Sequence, residues 1–173
     1  MMADKNADTP RLVDFVIREA GENESVERPD SKQFELFRSQ DGIAFADIYG
    51  GATRQTWPVR SKLFAEWISV VFFENERRVP TRTEVKSAIT LIDGGGLREL
   101  PVHDVFVRVG QLGDRLYLDL ADDDWSAIEI DSSGWRAVQN PPVRFERTPG
   151  MRALPVPKKG GSRVHEKLWK VRR

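Results

Sequence analysis

The stretch DVFVRVGQLGDRLYLDLADDDWSAIEIDSSGWRAVQNPPVRFE, which runs from Asp104 to Glu146, decides the fold. A period-two alternation of apolar residues runs through its first half, at Val105, Val107, Val109, Leu116, Leu118 and Leu120. Such alternation places one set of side chains on a buried face of a sheet and the other set outward. The segments Gln111–Asp114 and Asp131–Gly134 carry residues suited to hairpin loops. We therefore expect a β-meander that forms the centre of the fold.

Upstream of this stretch, three short strands and two helices are predicted. Residues 33–39, 43–49 and 54–59 have the composition of strands, with a tight turn at 40–42 and Pro58 marking an end or an edge. Ser61 can cap a helix with an apolar stripe, and Thr81 and Glu84 form a capping box for the next one. Runs of strands and helices in separate blocks predict an α+β fold, in which antiparallel meanders pack with a two-helix hairpin.

The chain divides into a domain and two charged flanks. Residues 1–33 form an acidic N-terminal segment with a short amphipathic helix, Arg11–Ala20, which we expect to dock weakly or to serve a partner. Residues 34–155 form the α+β domain. Residues 156–173 form a basic C-terminal tail with few apolar residues, after a last short strand expected over 143–147.

Composition limits the class of protein. The chain has 173 residues, a formal net charge of zero and no cysteine, so disulfides, thiolate metal sites and cysteine nucleophiles are excluded. None of its apolar runs approaches the length of about 18 residues that is needed to cross a bilayer. Its first residues do not show the pattern of a signal peptide. These features predict a cytoplasmic protein that does not insert into membranes.

Few residues suggest chemistry. Asp122 and Asp124 have a spacing that could hold a divalent metal, but they lie in an acidic turn, so they are only weak metal candidates. His103 and His165, the two histidines, have no partners suggested by the sequence and are interpreted as surface residues. The glycine-rich segments lack the lysine and hydroxyl of a phosphate-binding loop, so we expect no ATPase activity, no catalytic residue and no cofactor.

Aromatic and basic residues are the remaining binding candidates. Trp67 is expected in the core, and Trp57, Trp125 and Trp135 at strand ends. The C-terminal tail combines one aromatic residue with a run of cations, a composition that can follow phosphates and stack on a base. Its nucleic-acid-binding candidates are Lys158, Lys159, Arg163, Lys167, Trp169, Lys170, Arg172 and Arg173. A solvated, solubilising tail is the alternative interpretation.

Three segments carry a resemblance to a known group of proteins: ELFRSQDGIAFADI (35–48), TWPVRSKLFAEWI (56–68) and FVRV with the GDRLYLDLADDDW to KKGGS stretch (106–162). They resemble the domain that precedes the P-loop ATPase in large primase/helicase-like, ATP-binding replication proteins of bacteria, phages and integrated mobile elements. The resemblance covers residues 34–162 and includes no catalytic motif. In those proteins the chain continues into the motor, whereas this sequence ends with RVHEKLWKVRR. The resemblance therefore implies a stand-alone or truncated accessory domain without the ATPase.

The leading hypothesis is a non-catalytic accessory or recognition domain that contacts nucleic acid, with single-stranded DNA or a replication ATPase subunit as its partner. The alternative is a protein–protein interaction module that uses exposed strand edges or the helix Arg11–Ala20. A metal-dependent nucleotidyl-transfer enzyme centred on Asp122 and Asp124 is the third hypothesis.

Overall fold

The computed structural model describes residues 10–21, 33–50, 53–97 and 100–158. Three helices and nine strands follow one another in these ranges: α1 (Leu12–Gly21), β1 (Phe34–Arg38), β2 (Ala44–Gly50), β3 (Thr53–Pro58), α2 (Lys62–Glu76), α3 (Arg82–Asp93), β4 (Val105–Phe106), β5 (Val109–Leu112), β6 (Arg115–Asp119), β7 (Ala127–Asp131), β8 (Gly134–Val138) and β9 (Arg144–Phe145). The two main sheets are antiparallel, so the α+β prediction is confirmed.

The larger hydrophobic core lies in the N-terminal half, not in the meander. Strands β1, β2 and β3 form an antiparallel sheet in that order, here called the N-terminal sheet. One face of this sheet packs with the three helices around a cluster of buried residues that includes Phe34, Leu36, Ile48, Phe64, Ile68, Phe72 and Ile92. The prediction that the meander forms the centre of the fold is therefore wrong, because the helices supply most of the apolar area that can be buried.

Helix α1 is part of this core. Leu12, Phe15 and Val16 are buried, and the Phe15 ring meets the Phe72 ring edge-on at 5.6 Å. The helix also packs against α3. Weak docking was the expectation, and it is wrong: the i, i+3, i+4 set Leu12, Phe15 and Val16 faces the core, whereas Ile17 is 43% exposed.

The helical hairpin follows the predicted signals. The Ser61 side chain accepts a hydrogen bond from the backbone N–H of Phe64 at 3.1 Å, as an N-cap does. Phe64, Ile68, Val71 and Phe72 are buried on the predicted stripe. Trp67 is half-buried on this stripe and packs edge-on against Phe34 at 5.5 Å, at the border of the core.

The meander stretch forms a four-stranded antiparallel sheet in the order β5-β6-β7-β8, here called the meander sheet. Its hairpin loops lie at Gly113–Asp114 and Ser132–Ser133, as predicted. Each hairpin has a glycine with positive φ, Gly113 (62°) in the first loop and Gly134 (131°) as the first residue of β8, a backbone conformation that side chains with a Cβ disfavour.

The predicted faces are reversed in β5 and β6, although Leu120, which follows β6, is buried as predicted. Arg108 adopts φ 68° and separates β4 from β5, so the run from Val105 to Val109 is not one strand. Val107 and Val109 are more than half exposed, whereas Tyr117 and Asp119, expected outward, are buried to 1% exposure. A one-residue interruption moves every later side chain to the other face of a strand, and that change explains the reversal.

A small second core joins the end of the chain to the meander sheet. Strand β9 pairs with β4 in parallel, and both are only two residues long. Phe145 and Val143 are buried beside Tyr117 and Ala127 of the meander sheet. The last strand, expected over 143–147, is thus shorter than predicted, and its pairing partner was not anticipated.

A buried carboxylate connects the N-terminal sheet to the segment around β9. Asp47, on the face of β2 opposite the helices, is fully buried; its Oδ1 accepts the Thr56 hydroxyl at 2.6 Å and its Oδ2 accepts Arg144 Nε at 2.7 Å. Arg54 Nε lies 3.7 Å from the same Oδ2, and Arg54 Nη2 donates to the carbonyl of Val143 at 2.8 Å. A charge buried this deeply is stable only when it is paired, so the network fixes the segment around β9 against the N-terminal sheet.

Among the residues that the structure describes, no helix combines the length and the apolar character needed to cross a membrane.

Replacing Asp47 with asparagine should destabilise the protein by about 3 kcal/mol, because it leaves two buried guanidinium groups without their counter-charge. Urea unfolding of Asp47→Asn and of the wild type measures the difference in the free energy of unfolding. Asp41→Asn, in the exposed β1–β2 turn, is the matched control and should change stability by less than about 0.5 kcal/mol. Equal effects of the two variants would contradict a supporting role for the Asp47 pair.

Candidate functional site

A groove of about 600 Å³ lies between α2 and α3. Helix α3 contributes residues at positions i, i+3, i+4, i+7 and i+8, which share one face of a helix. The lining residues are Arg60, Ser69, Pro80, Arg82, Val85, Lys86, Ile89 and Thr90. We call this feature the α2–α3 groove. Its volume falls in the range of pockets that hold small ligands or a few side chains of a peptide.

The start of α3 is held rigidly, and this fixes the first residues of the groove. The hydroxyl of Thr81 accepts the backbone N–H of Glu84 at 3.3 Å, and the Glu84 carboxylate accepts the backbone N–H of Thr81 at 2.8 Å. The predicted capping box is therefore confirmed. Arg78 grips the same carboxylate with two hydrogen bonds, of 2.6 and 3.1 Å, and also donates to the carbonyl of Pro10.

These donors lower the pKa of Glu84 to about 2. The hydrogen bonds from Arg78 are the largest cause, followed by the one from the backbone N–H of Thr81. Glu84 is therefore ionised throughout the neutral range. Its negative charge is paired with Arg78 and with the backbone N–H of Thr81 at the start of the helix. It does not neutralise the cations of the groove.

The rim of the α2–α3 groove carries cations in two different situations. Arg60 is paired with Asp93: Nε donates to Oδ2 at 2.5 Å. Arg82 and Lys86 lie one turn apart on α3 and are exposed, and their side chains have no hydrogen-bond or ion-pair partner among the described residues. The half-buried side chains of Val85 and Ile89 lie beside them against the core. The groove thus combines an apolar floor with two cations that are available to a ligand.

The hydroxyl groups of the groove are already used as donors. Ser69 Oγ donates to the carbonyl of Ala65 at 2.7 Å, and Thr90 Oγ1 donates to the carbonyl of Lys86 at 2.8 Å. A hydroxyl has one hydrogen and two acceptor lone pairs. Toward a ligand, both oxygens therefore act as hydrogen-bond acceptors.

The acidic turn of the meander is a structural element. Arg147 donates to both carboxylate oxygens of Asp119, at 2.6 and 3.1 Å, and to the backbone carbonyl of Asp122. The Asp122 carboxylate accepts the backbone N–H of Ser126 at 2.8 Å and also its hydroxyl. Both carboxylates are therefore occupied in holding the turn and the segment after β9.

The weak metal candidates do not come together with other ligands. Asp122 is engaged with Ser126, and Asp124 is exposed two residues further along the turn. Within the described ranges, no group of three or more histidine, aspartate or glutamate side chains could hold a metal ion. The geometry gives the nucleotidyl-transfer hypothesis no support.

The tryptophans differ in how much they can offer a partner. The guanidinium of Arg147 lies 3.9 Å from the centre of the Trp125 ring, so one face of that ring is covered. Trp57 and Trp67 pack edge-on against each other at 6.4 Å beside the core. Trp135, on β8, remains 37% exposed. Among the tryptophans in the described ranges, it is the exposed one that a ligand can reach.

Trp135 belongs to an apolar surface on the outer face of the meander sheet. Register places Val109, Leu116, Ile130 and Trp135 on this face, and each of them is between 37% and 51% exposed. We call this surface the outer meander face. Strand β8, at its edge, is exposed along nearly its whole length. Such a contiguous apolar surface is typical of a protein contact.

His103 is not a simple surface residue. It is half-buried, and its ring lies 5.4 Å from that of Phe37. Burial lowers the pKa of His103, and the positive charge of Arg144 adds to the effect. The ring is thus held neutral at physiological pH as a packing group beside the Asp47 network. His165 lies outside the described residues.

The nucleic-acid candidates fall almost entirely outside the described residues. Lys158 is described and exposed. The others, Lys159, Arg163, Lys167, Trp169, Lys170, Arg172 and Arg173, lie beyond the last described residue. Sequence reasoning did not find the α2–α3 groove, although the spacing of Arg82, Val85, Lys86 and Ile89 on one helix face was a signal for it.

No known protein family, no curated protein and no solved structure matches this chain.

The Glu84→Gln variant should lose about 1 kcal/mol of stability at neutral pH, because it weakens the Arg78 contact and the cap of α3. Since folding lowers the pKa of Glu84 from 4.5 to about 2, its contribution is complete above about pH 4.5 and fades as the pH falls toward 2. Urea unfolding of both proteins across this range should show the two stabilities converging in acid. A stability difference between the two proteins that stays constant with pH would contradict the role of the charge. The control is Glu74→Gln, at an exposed position of α2.

Proposed function

We propose that the chain is a non-catalytic accessory domain that contacts single-stranded nucleic acid through its basic C-terminal tail, in the cytoplasm, as part of a replication-type assembly. The resemblance of residues 34–162 to the domain before the P-loop ATPase of primase/helicase-like proteins supports the assembly. The engagement of the carboxylates in contacts with arginines supports the proposal that the domain is non-catalytic. Asp47, Asp119 and Glu84 are each held by an arginine.

The observation that carries the nucleic-acid contact is the fixed exit point of the tail. The backbone N–H of Leu154 donates to the carbonyl of Leu120 at 2.7 Å, and Arg108 Nη2 donates to the carbonyl of Arg152 at 3.0 Å. These bonds hold residues 152 and 154 against the segments that border the meander sheet, and Lys158, four residues further on, is exposed. From there on, every charged residue except Glu166 is a lysine or an arginine. A cationic segment attached to a folded domain can bind phosphates without recognising bases.

Neutralising four tail cations should weaken binding to oligothymidylate and lower its salt dependence. The variant replaces Lys167, Lys170, Arg172 and Arg173 with glutamine. Each lost phosphate contact lowers the slope of log K against log salt by about 0.7, so the slope should fall by up to about 3. Fluorescence anisotropy at several salt concentrations measures it.

The matched control neutralises four exposed cations of the folded domain: Arg11, Lys62, Arg82 and Lys86. It should bind oligothymidylate with the salt dependence of the wild type. No binding even at low salt, or equal losses in both variants, would contradict nucleic-acid contact through the tail.

A protein–protein interaction module is the second candidate function, and the outer meander face favours it. A replication ATPase subunit could cover this face and add a strand beside β8. Sedimentation of the chain with the purified ATPase should show a complex that Leu116→Ser and Ile130→Ser together weaken by at least about tenfold. A complex that forms equally well with this double variant would exclude the face.

A further inference from the structure

The α2–α3 groove offers three different kinds of contact at once. Val85 and Ile89 form an apolar floor that is only half-buried. Arg82 and Lys86 provide cations one helical turn apart above it. The oxygens of Ser69 and Thr90 provide hydrogen-bond acceptors, because their hydrogens are directed to the backbone of their own helices. A ligand that fits must therefore carry apolar groups, negative charges and hydrogen-bond donors.

The phosphate backbone of nucleic acid meets only one of these demands. Its phosphate oxygens are acceptors, so they would pair with Arg82 and Lys86 but would face Ser69 and Thr90 without a donor between them. Among the described residues that line the groove, none has an aromatic side chain on which a base could stack. Val85 and Ile89 would remain without an apolar partner.

An acidic polypeptide meets all three demands. Its carboxylates can form charge-assisted hydrogen bonds with Arg82 and Lys86, and leucine or isoleucine side chains can cover Val85 and Ile89. Hydrogen-bond donors of the peptide, such as backbone N–H groups at the start of a helix, can reach the oxygens of Ser69 and Thr90. We propose that the α2–α3 groove binds an acidic segment of a partner protein that also carries apolar residues.

The rigidity of the groove favours such binding. The capping box and the Arg78–Glu84 contact fix the first turn of α3. This turn carries Arg82, and Lys86 follows one turn later. The pair of Arg60 with Asp93 links the end of β3 to the last residue of the same helix. A groove that is already formed loses little conformational entropy when a peptide binds.

Binding to the groove and binding to the tail are separate properties of the chain. The groove is built mainly by α2 and α3, whereas the proposed nucleic-acid contact involves the C-terminal residues from Lys158 onward. The peptide proposal therefore does not rest on the nucleic-acid proposal.

The test uses the full chain and a fluorescein-labelled synthetic peptide, with leucines at positions i, i+3, i+4 and i+7 and glutamates between them. We expect this peptide to bind, and a peptide with lysines in place of the glutamates not to bind. Arg82→Glu with Lys86→Glu should weaken binding by about tenfold or more. Thr90→Val, which removes an acceptor but keeps the shape, should weaken it by about threefold to tenfold.

Two controls distinguish the groove from a general charge effect. Arg11→Glu with Lys62→Glu changes the net charge by the same amount at exposed sites outside the groove and should leave peptide affinity unchanged. The variant with four neutral tail residues should also bind the peptide normally. Unfolding curves of each variant verify that the fold is retained.

Three results would overturn the proposal. The first is no binding of the acidic peptide at low salt. The second is an equal loss of affinity in the groove variant and in its charge-matched control. The third is binding of oligothymidylate that depends on Arg82 and Lys86 while the peptide does not compete, because this would assign the groove to nucleic acid.

Discussion

The rest of the structure depends on the buried ion pair between Asp47 and Arg144, which are 97 positions apart in the sequence. Asp47 is fully buried and is satisfied on both oxygens, so the chain must bring the segment after the meander back to β2. Arg144 also lies over the Phe37 ring, with 4.8 Å between the guanidinium and the ring centre. The pair thus holds two cores together that would otherwise share few contacts. Its cost in desolvation is offset only because each polar group in the network has a partner.

The same use of charge supports the proposed non-catalytic role. The buried carboxylates are held by arginines, and the neutral ring of His103 packs against Phe37. A general acid or base needs a titratable group that reaches a substrate, and the buried carboxylates and His103 are held in supporting contacts instead. Among the described residues, the surface offers the cations Arg82 and Lys86 and the outer meander face.

Local signals in the sequence predicted the elements, whereas long-range packing was beyond them. The capping box at Thr81, the Ser61 cap and the glycine-containing hairpins depend on residues a few positions apart, so they were predicted correctly. The faces of the meander were not, because Arg108 in a left-handed conformation shifts the alternation, and Gly110 allows the Phe106 ring to come within 2.7 Å of where a Cβ would lie. The docking of α1 and the Asp47 pair depend on partners far along the chain. The groove was missed for the same reason, since α3 alone does not reveal that Ser69 and Pro80 complete it.

Two separate binding sites in one chain, the α2–α3 groove for an acidic polypeptide and the tail for nucleic acid, are our central proposal. Mapping of backbone amide chemical shifts by NMR, with each ligand added in turn, tests it most directly. We expect the acidic peptide to move signals of α3 and of the neighbouring part of α2 near Ser69, and oligothymidylate to move signals of residues 158–173. The claim would be contradicted if both ligands moved the same set of signals, or if neither moved those of α3.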